Sequence, residues 1–161
     1  MATDFLAQLS SPLVDEEALL DQMLLALSRG ELPPESWRAL NEAALRDDRV
    51  SELAFAFEIV MQGKRLKSVA NAVAAEFLSH AADFFHESLG DELGAIGYLE
   101  RALATAPAFA PAFDRLDFLL TKAGDAKKLA DLCLAQVHYR VEISDKIDLL
   151  RRAATLYEPL G

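Results

Sequence analysis

Apolar residues along this chain recur three and four positions apart, and no run alternates with period two, so helices are predicted throughout. Thr3 or Asp4 is expected to cap a short helix through Leu9. Asp15, Glu16 and Glu17 complement the positive end of a second helix. Its stripe of Leu19, Leu20, Met23, Leu24 and Leu27 is wide enough to need cover on more than one side, and Gly30 supplies a left-handed stop. Pro33-Pro34-Glu35-Ser36 opens a helix with Trp37, Leu40, Ala43, Ala44 and Leu45 inward, and Asp47-Asp48 ends it. Ser51 is expected to cap the next, with Leu53, Ala54, Phe57, Val60 and Met61 inward. After the basic Lys64-Arg65-Leu66-Lys67, nothing between Ser68 and Leu89 interrupts a helix, which would make it about 33 Å long.

The second half of the chain repeats. Leu89-Gly90-Asp91 divides two helix-patterned arms between Glu76 and Phe109, and thirty-four residues later Gly124-Asp125 divides two more. The arm after Asp91 turns Leu93, Ala95, Ile96, Leu99, Ala102 and Leu103 inward and stops at Pro107. The next arms carry Phe113, Leu116, Phe118, Leu119 and Leu120, then Leu129, Leu132, Cys133 and Val137. Asp145 is expected to cap a last helix bearing Ile147, Leu149, Leu150, Ala153, Ala154, Leu156 and Tyr157. Ala153 to Gly161 echoes Ala81 to Gly90, so the chain is expected either to end on a capping helix or, preferably, to belong to a longer array.

A period of thirty-four with Leu89-Gly90-Asp91, Ala95-Ile96, Ala102-Leu103 and Pro107 at these spacings resembles the tetratricopeptide repeat family. The resemblance is good over 76–109 and partial elsewhere in 34–161; related helical-hairpin repeats remain alternatives. It implies an all-α, right-handed superhelical stack of antiparallel helix hairpins, an α-solenoid of about eight or nine helices. Residues 1–32 would be packing helices, followed by units at 34–67 (degenerate), 76–109, 110–143 and 144–161 (partial), all in one continuous domain. It further implies a concave groove that takes a peptide. Mapped onto this chain, the groove is lined by Phe77, His80, Phe84 and Glu87, then Asp114, Phe118, Thr121 and Lys122, then Arg151, Thr155 and Glu158. Phe84 and Phe118 lie one period apart and would share a wall, so alanine at either is expected to abolish capture and leave the fold intact. The alternative is that both rings pack between helices.

The formal charge of −10 is uneven: residues 1–60 hold 12 acidic and 4 basic side chains, and residues 61–161 hold 14 and 12. Nucleic acid and anionic membrane are therefore not expected partners, since both need a basic footprint. The acidic half reads either as a solvated face or as attraction for a basic partner. The N-terminal residues lack the pattern of a secretory signal, and the lone Cys133 suits a small core residue, so a cytoplasmic location is expected.

Candidate chemistry is sparse. His80, Asp83, His86 and Glu87 share one helix, but His80 and His86 point about 240° apart, so surface charge is a better reading than a metal site. Hydrolase and phosphate-loop spacings do not occur. The expected function is a non-enzymatic scaffold without cofactor that captures another protein or a peptide. Self-association is the second reading, and a metal-binding sensor or enzyme a remote third.

Overall fold

The structure, a computed structural model, describes residues 7–13 and 15–158. The Thr3/Asp4 cap and the Pro159-Leu160-Gly161 end lie outside them. Among the described residues there are nine α-helices and no strand. They are α1 (Glu16–Ser28), α2 (Ser36–Arg46), α3 (Val50–Gln62), α4 (Lys64–Ser68), α5 (Asn71–Glu87), α6 (Glu92–Thr105), α7 (Ala110–Ala123), α8 (Ala126–Gln136) and α9 (Ile143–Tyr157). Residues 7–9 are helical as well, and a 3-10 turn, Val137–Tyr139, precedes α9.

Three aspartates close amino ends. Asp15, Asp91 and Asp125 accept hydrogen bonds from the amides of Ala18, Gly94 and Lys128 at 2.9, 2.9 and 3.0 Å. Each satisfies a donor that the first turn would otherwise leave unpaired. Three carboxyl ends close through left-handed glycine, Gly30 at φ +69°, Gly90 at φ +67° and Gly124 at φ +70°. There the next amides, of Glu31, Asp91 and Asp125, reach back to the carbonyls of Ala26, Phe85 and Leu120. Ser51 and Asp145 do not cap. Their helices begin earlier, at Val50 and Ile143, with no side-chain cap at Arg49 or Glu142, and the two residues fall within the first turns.

The helix expected from Ser68 to Leu89 is present as α5, shorter at both ends, and Ser68 instead closes a separate short helix before it. Val69 and Ala70 are extended, with ψ 166° and 144°, and separate the five-residue α4 from the seventeen-residue α5. Ser68 closes α4 by donating to the carbonyl of Arg65 at 2.7 Å, and Arg65 pairs with Asp21 of α1. The break turns Leu66 back into the core, where it is 7% exposed.

One apolar core runs from Leu9 to Leu132. Each helix from α5 to α9 packs on the next; α5 also touches α1, α3 and α7, and α1 packs on α3. With only a short turn at Gly90, α5 and α6 can pack along their lengths only by running antiparallel. Ala95 and Ala102 are fully buried between them, small enough for close approach. Two residues assigned inward face water instead, Leu45 (57% exposed) and Leu93 (83%), while Phe118, expected on the groove, is 61% exposed. Each stands beside a residue that takes the inward place, Ala44, Ile96 and Leu119. A helix face has room for only some members of a broad apolar arc.

Gly94 has a packing role. A β-carbon there would collide with the capping carboxylate of Asp91 and lie 3.1 Å from the Phe85 ring, whereas one at Gly97 on the same helix meets nothing within 4 Å. Gly94→Ala is expected to lose about 1–2 kcal/mol, because cap displacement and overpacking outweigh the gain in helix propensity. Gly97→Ala should instead gain about 0.5–1 kcal/mol. Chemical denaturation of the two variants checks the contrast.

Candidate functional site

Two depressions meet on the face formed by α2, α5 and α7. One, of about 370 Å³, lies between α5 and α7, with Asp83, His86, Glu87, Asp114, Arg115 and Phe118 around it. The other, of about 410 Å³, lies between α2 and α5, with Trp37, Asn41, Leu45 and His80. Asp83 and Glu87 belong to both, so the two form one groove across three helices.

Side-chain contacts hold its floor. The His80 ring stacks on Trp37 at 4.4 Å between centroids and 14° between planes. His80 Nδ1 lies 3.9 Å from Asp83, whose carboxylate pairs with Arg115 of α7 at 2.8 Å. Burial, aided by the Arg115 charge, pushes His80 down to about 4. Burial also pushes Asp83 up to about 6, outweighing the opposing pull of the Arg115 guanidinium. The floor is thus a neutral imidazole, a guanidinium and a carboxyl that resists ionisation.

These shifts act on stability in opposite senses. His80 binds its proton more weakly when folded, so its contribution is present above about pH 6.5 and lost as pH falls towards 4. Asp83 binds its proton more tightly when folded, so its contribution is present at low pH and lost as pH rises from about 4 to 6. Against His80→Gln, the wild type should therefore gain about 3 kcal/mol of relative stability between pH 4 and pH 7. Urea titrations of both proteins across that range measure it; a difference independent of pH would contradict the assignment.

The residues expected in the groove divide into three groups. His80, Glu87, Asp114 and Phe118 stand on it. Phe77 and Phe84 do not: both are 0% exposed. Phe77 packs edge-on against Trp37 at 5.6 Å, and Phe84 contacts Phe57 at 5.4 Å and Phe85 at 5.9 Å. α5 is covered on several sides, by α1, α3, α6 and α7, so an aromatic at these positions has no route to solvent. The third group lies off the two depressions. Lys122 pairs with Glu92 of α6, and Thr121 faces Arg152 at 3.5 Å. Arg151 pairs loosely with Asp148 at 3.9 Å along its own helix, Thr155 donates to the Arg151 carbonyl, and Glu158 is exposed at the end of α9.

Sequence reasoning placed Trp37 in the core, and it is 7% exposed, but its ring also floors the groove beneath His80. Asp83 and Arg115 come together only through the α5–α7 contact, and no spacing along the chain announces that pair. Among the described residues no group of three or more His, Cys, Asp or Glu side chains is placed to hold a metal ion, and no helix is long and apolar enough to cross a membrane. No family model, curated protein or solved structure matches the chain.

Proposed function

We propose that the α2–α5–α7 groove is the docking site of a non-enzymatic scaffold, and that its ligand is a protein segment carrying a cationic side chain beside an apolar one. The observation that carries this reading is the rim of the depression between α5 and α7. Phe118 is 61% exposed there, and neither Glu87 nor Asp114 has an ion-pair partner among the described residues. An exposed aromatic offers an apolar anchor, and two uncompensated carboxylates orient a cation next to it. The net charge of −10 favours encounter with such a segment. The contacts of α5 with both α6 and α7 support a hairpin stack of the tetratricopeptide kind, in which alternate helices line one face. This reading places the protein in the cytoplasm.

Selection from a displayed library of random decapeptides tests the proposal. Enriched peptides should hold Lys or Arg within a few residues of Leu, Ile or Phe. Phe118→Ala, and Glu87→Gln combined with Asp114→Asn, should each weaken their binding by about tenfold or more with the melting midpoint unchanged. Enrichment of acidic peptides, or affinities indifferent to these substitutions, would overturn it.

A further inference from the structure

Three side chains from three different helices fall into line across the groove. The His80 ring lies on Trp37, which fixes the level of α5 against α2. Leu45 stands eight residues beyond Trp37 and Glu87 seven beyond His80, and both line the depression between these helices. The corresponding rises are about 12 and about 10 Å, so α2 and α5 run in the same direction and Leu45 comes level with Glu87. On the other side Asp83 pairs with Arg115 of α7 at 2.8 Å. Glu87 lies four residues beyond Asp83, and Phe118 three beyond Arg115. Short turns join α5 to α6 and α6 to α7, and each packs on the next, so α5 and α7 also run in one direction. Phe118 therefore comes level with Glu87 as well. Leu45, Glu87 and Phe118 make a row across α2, α5 and α7 that reads apolar, acidic, apolar.

Both ends of the row are open to water, Leu45 at 57% and Phe118 at 61% exposure. Its centre carries an uncompensated charge. Arg115 is taken up by Asp83, and Arg38 pairs with Glu42 on its own helix at 3.7 Å, whereas Glu87 has no ion-pair partner among the described residues. Neighbouring helices lie about 8–10 Å apart, which separates the two apolar ends by about 16–20 Å. A strand advances about 3.3 Å per residue and turns every second side chain to the same side, so about six residues span that distance on one face. We infer that the docked segment crosses the three helices in extended form, with one apolar side chain on Leu45, a second about six residues along on Phe118, and a lysine or arginine between them on Glu87. This rests on the groove reading above and adds to it the second apolar anchor, the spacing and the backbone conformation. The apolar ends supply affinity, and the carboxylate between them fixes register and rejects an acidic residue at the centre.

Selection of displayed random decapeptides on the wild type, Leu45→Ser and Phe118→Ala in parallel tests this. A decapeptide reaches both ends when extended, but as a helix it is only about 15 Å long and falls short. The wild type should enrich peptides with apolar residues about six apart and Lys or Arg between them. Each variant should enrich a cation with an apolar residue on one side alone. Both substituted side chains are exposed, so the melting midpoints should not move. Resynthesised, the strongest wild-type peptide should bind Leu45→Ser about tenfold more weakly. Serine at one of its two apolar positions should cost about tenfold on the wild type and nothing further on Leu45→Ser. Wild-type peptides with a cation and a single apolar residue, bound equally by Leu45→Ser, overturn the two-anchor inference and leave the groove reading standing. Two anchors at a spacing far from six overturn the extended crossing. Peptides with neither feature, bound alike by all three proteins, overturn the inference and the groove reading together.

Discussion

Phe84→Ala lowers the unfolding free energy by about 3–5 kcal/mol, and Phe118→Ala by no more than about 0.5 kcal/mol. The two rings stand one repeat apart and share a place in the pattern, so the contrast comes entirely from what surrounds them. Phe84 is fully buried in a chain of aromatic contacts that links Trp37, Phe77, Phe57, Phe85 and Tyr98. Removing it leaves a cavity between α3 and α5 that rigid neighbours cannot fill. Phe118 projects into water from α7 and loses little on truncation. With a net stability of about 5–15 kcal/mol usual for a domain, the Phe84 variant loses a large share of it. Urea unfolding followed by circular dichroism measures both; equal losses would show that the rings are equivalent after all.

Arg49→Ala costs about 3 kcal/mol, although Arg49 belongs to neither the groove nor the apolar core. Its guanidinium lies 2.9 Å from Glu16, whose side chain is only 7% exposed. Deleting the cation leaves a carboxylate in the interior without its counter-charge, which is more costly than losing the pair as a whole. The lower end of the usual range applies because Arg49 is itself 32% exposed and water can partly replace it. The double substitution Glu16→Leu/Arg49→Met should recover most of the loss, since it removes both charges and keeps the volume. Chemical denaturation of the single and double variants decides the matter. A double variant as unstable as the single would mean that lost packing, not the stranded charge, sets the cost.

Both predictions bear on what the sequence makes legible. Local chemistry reads well: Asp15 starts a helix where expected, Asp91 and Asp125 cap the arms that follow the two Gly-Asp pairs, and Gly90 and Gly124 turn the chain in the left-handed region. Those signals depend on a few neighbouring backbone groups, so no tertiary knowledge is needed. Periodicity likewise shows that α5 is apolar on several faces. It does not show which face meets solvent, because that depends on α1, α3, α6 and α7 closing round the helix. Phe77 and Phe84 therefore pass for groove residues, while Trp37, beneath His80, passes for core alone. The break at Val69-Ala70 is hidden for a similar reason. No glycine or proline marks it, and the short helix before it buries Leu66. Of the candidate groove, His80, Glu87, Asp114 and Phe118 follow from the resemblance mapped onto the chain; the Asp83–Arg115 pair depends on the approach of α5 to α7.

Hydrogen exchange of the protein with and without a selected cationic-apolar peptide locates docking most directly. The groove reading predicts slowed exchange in peptides covering residues 37–45, 80–88 and 114–119, with α1 and α9 unchanged. Protection confined to α9 or to the outer face of α1 and α3, with α5 and α7 untouched, would contradict it.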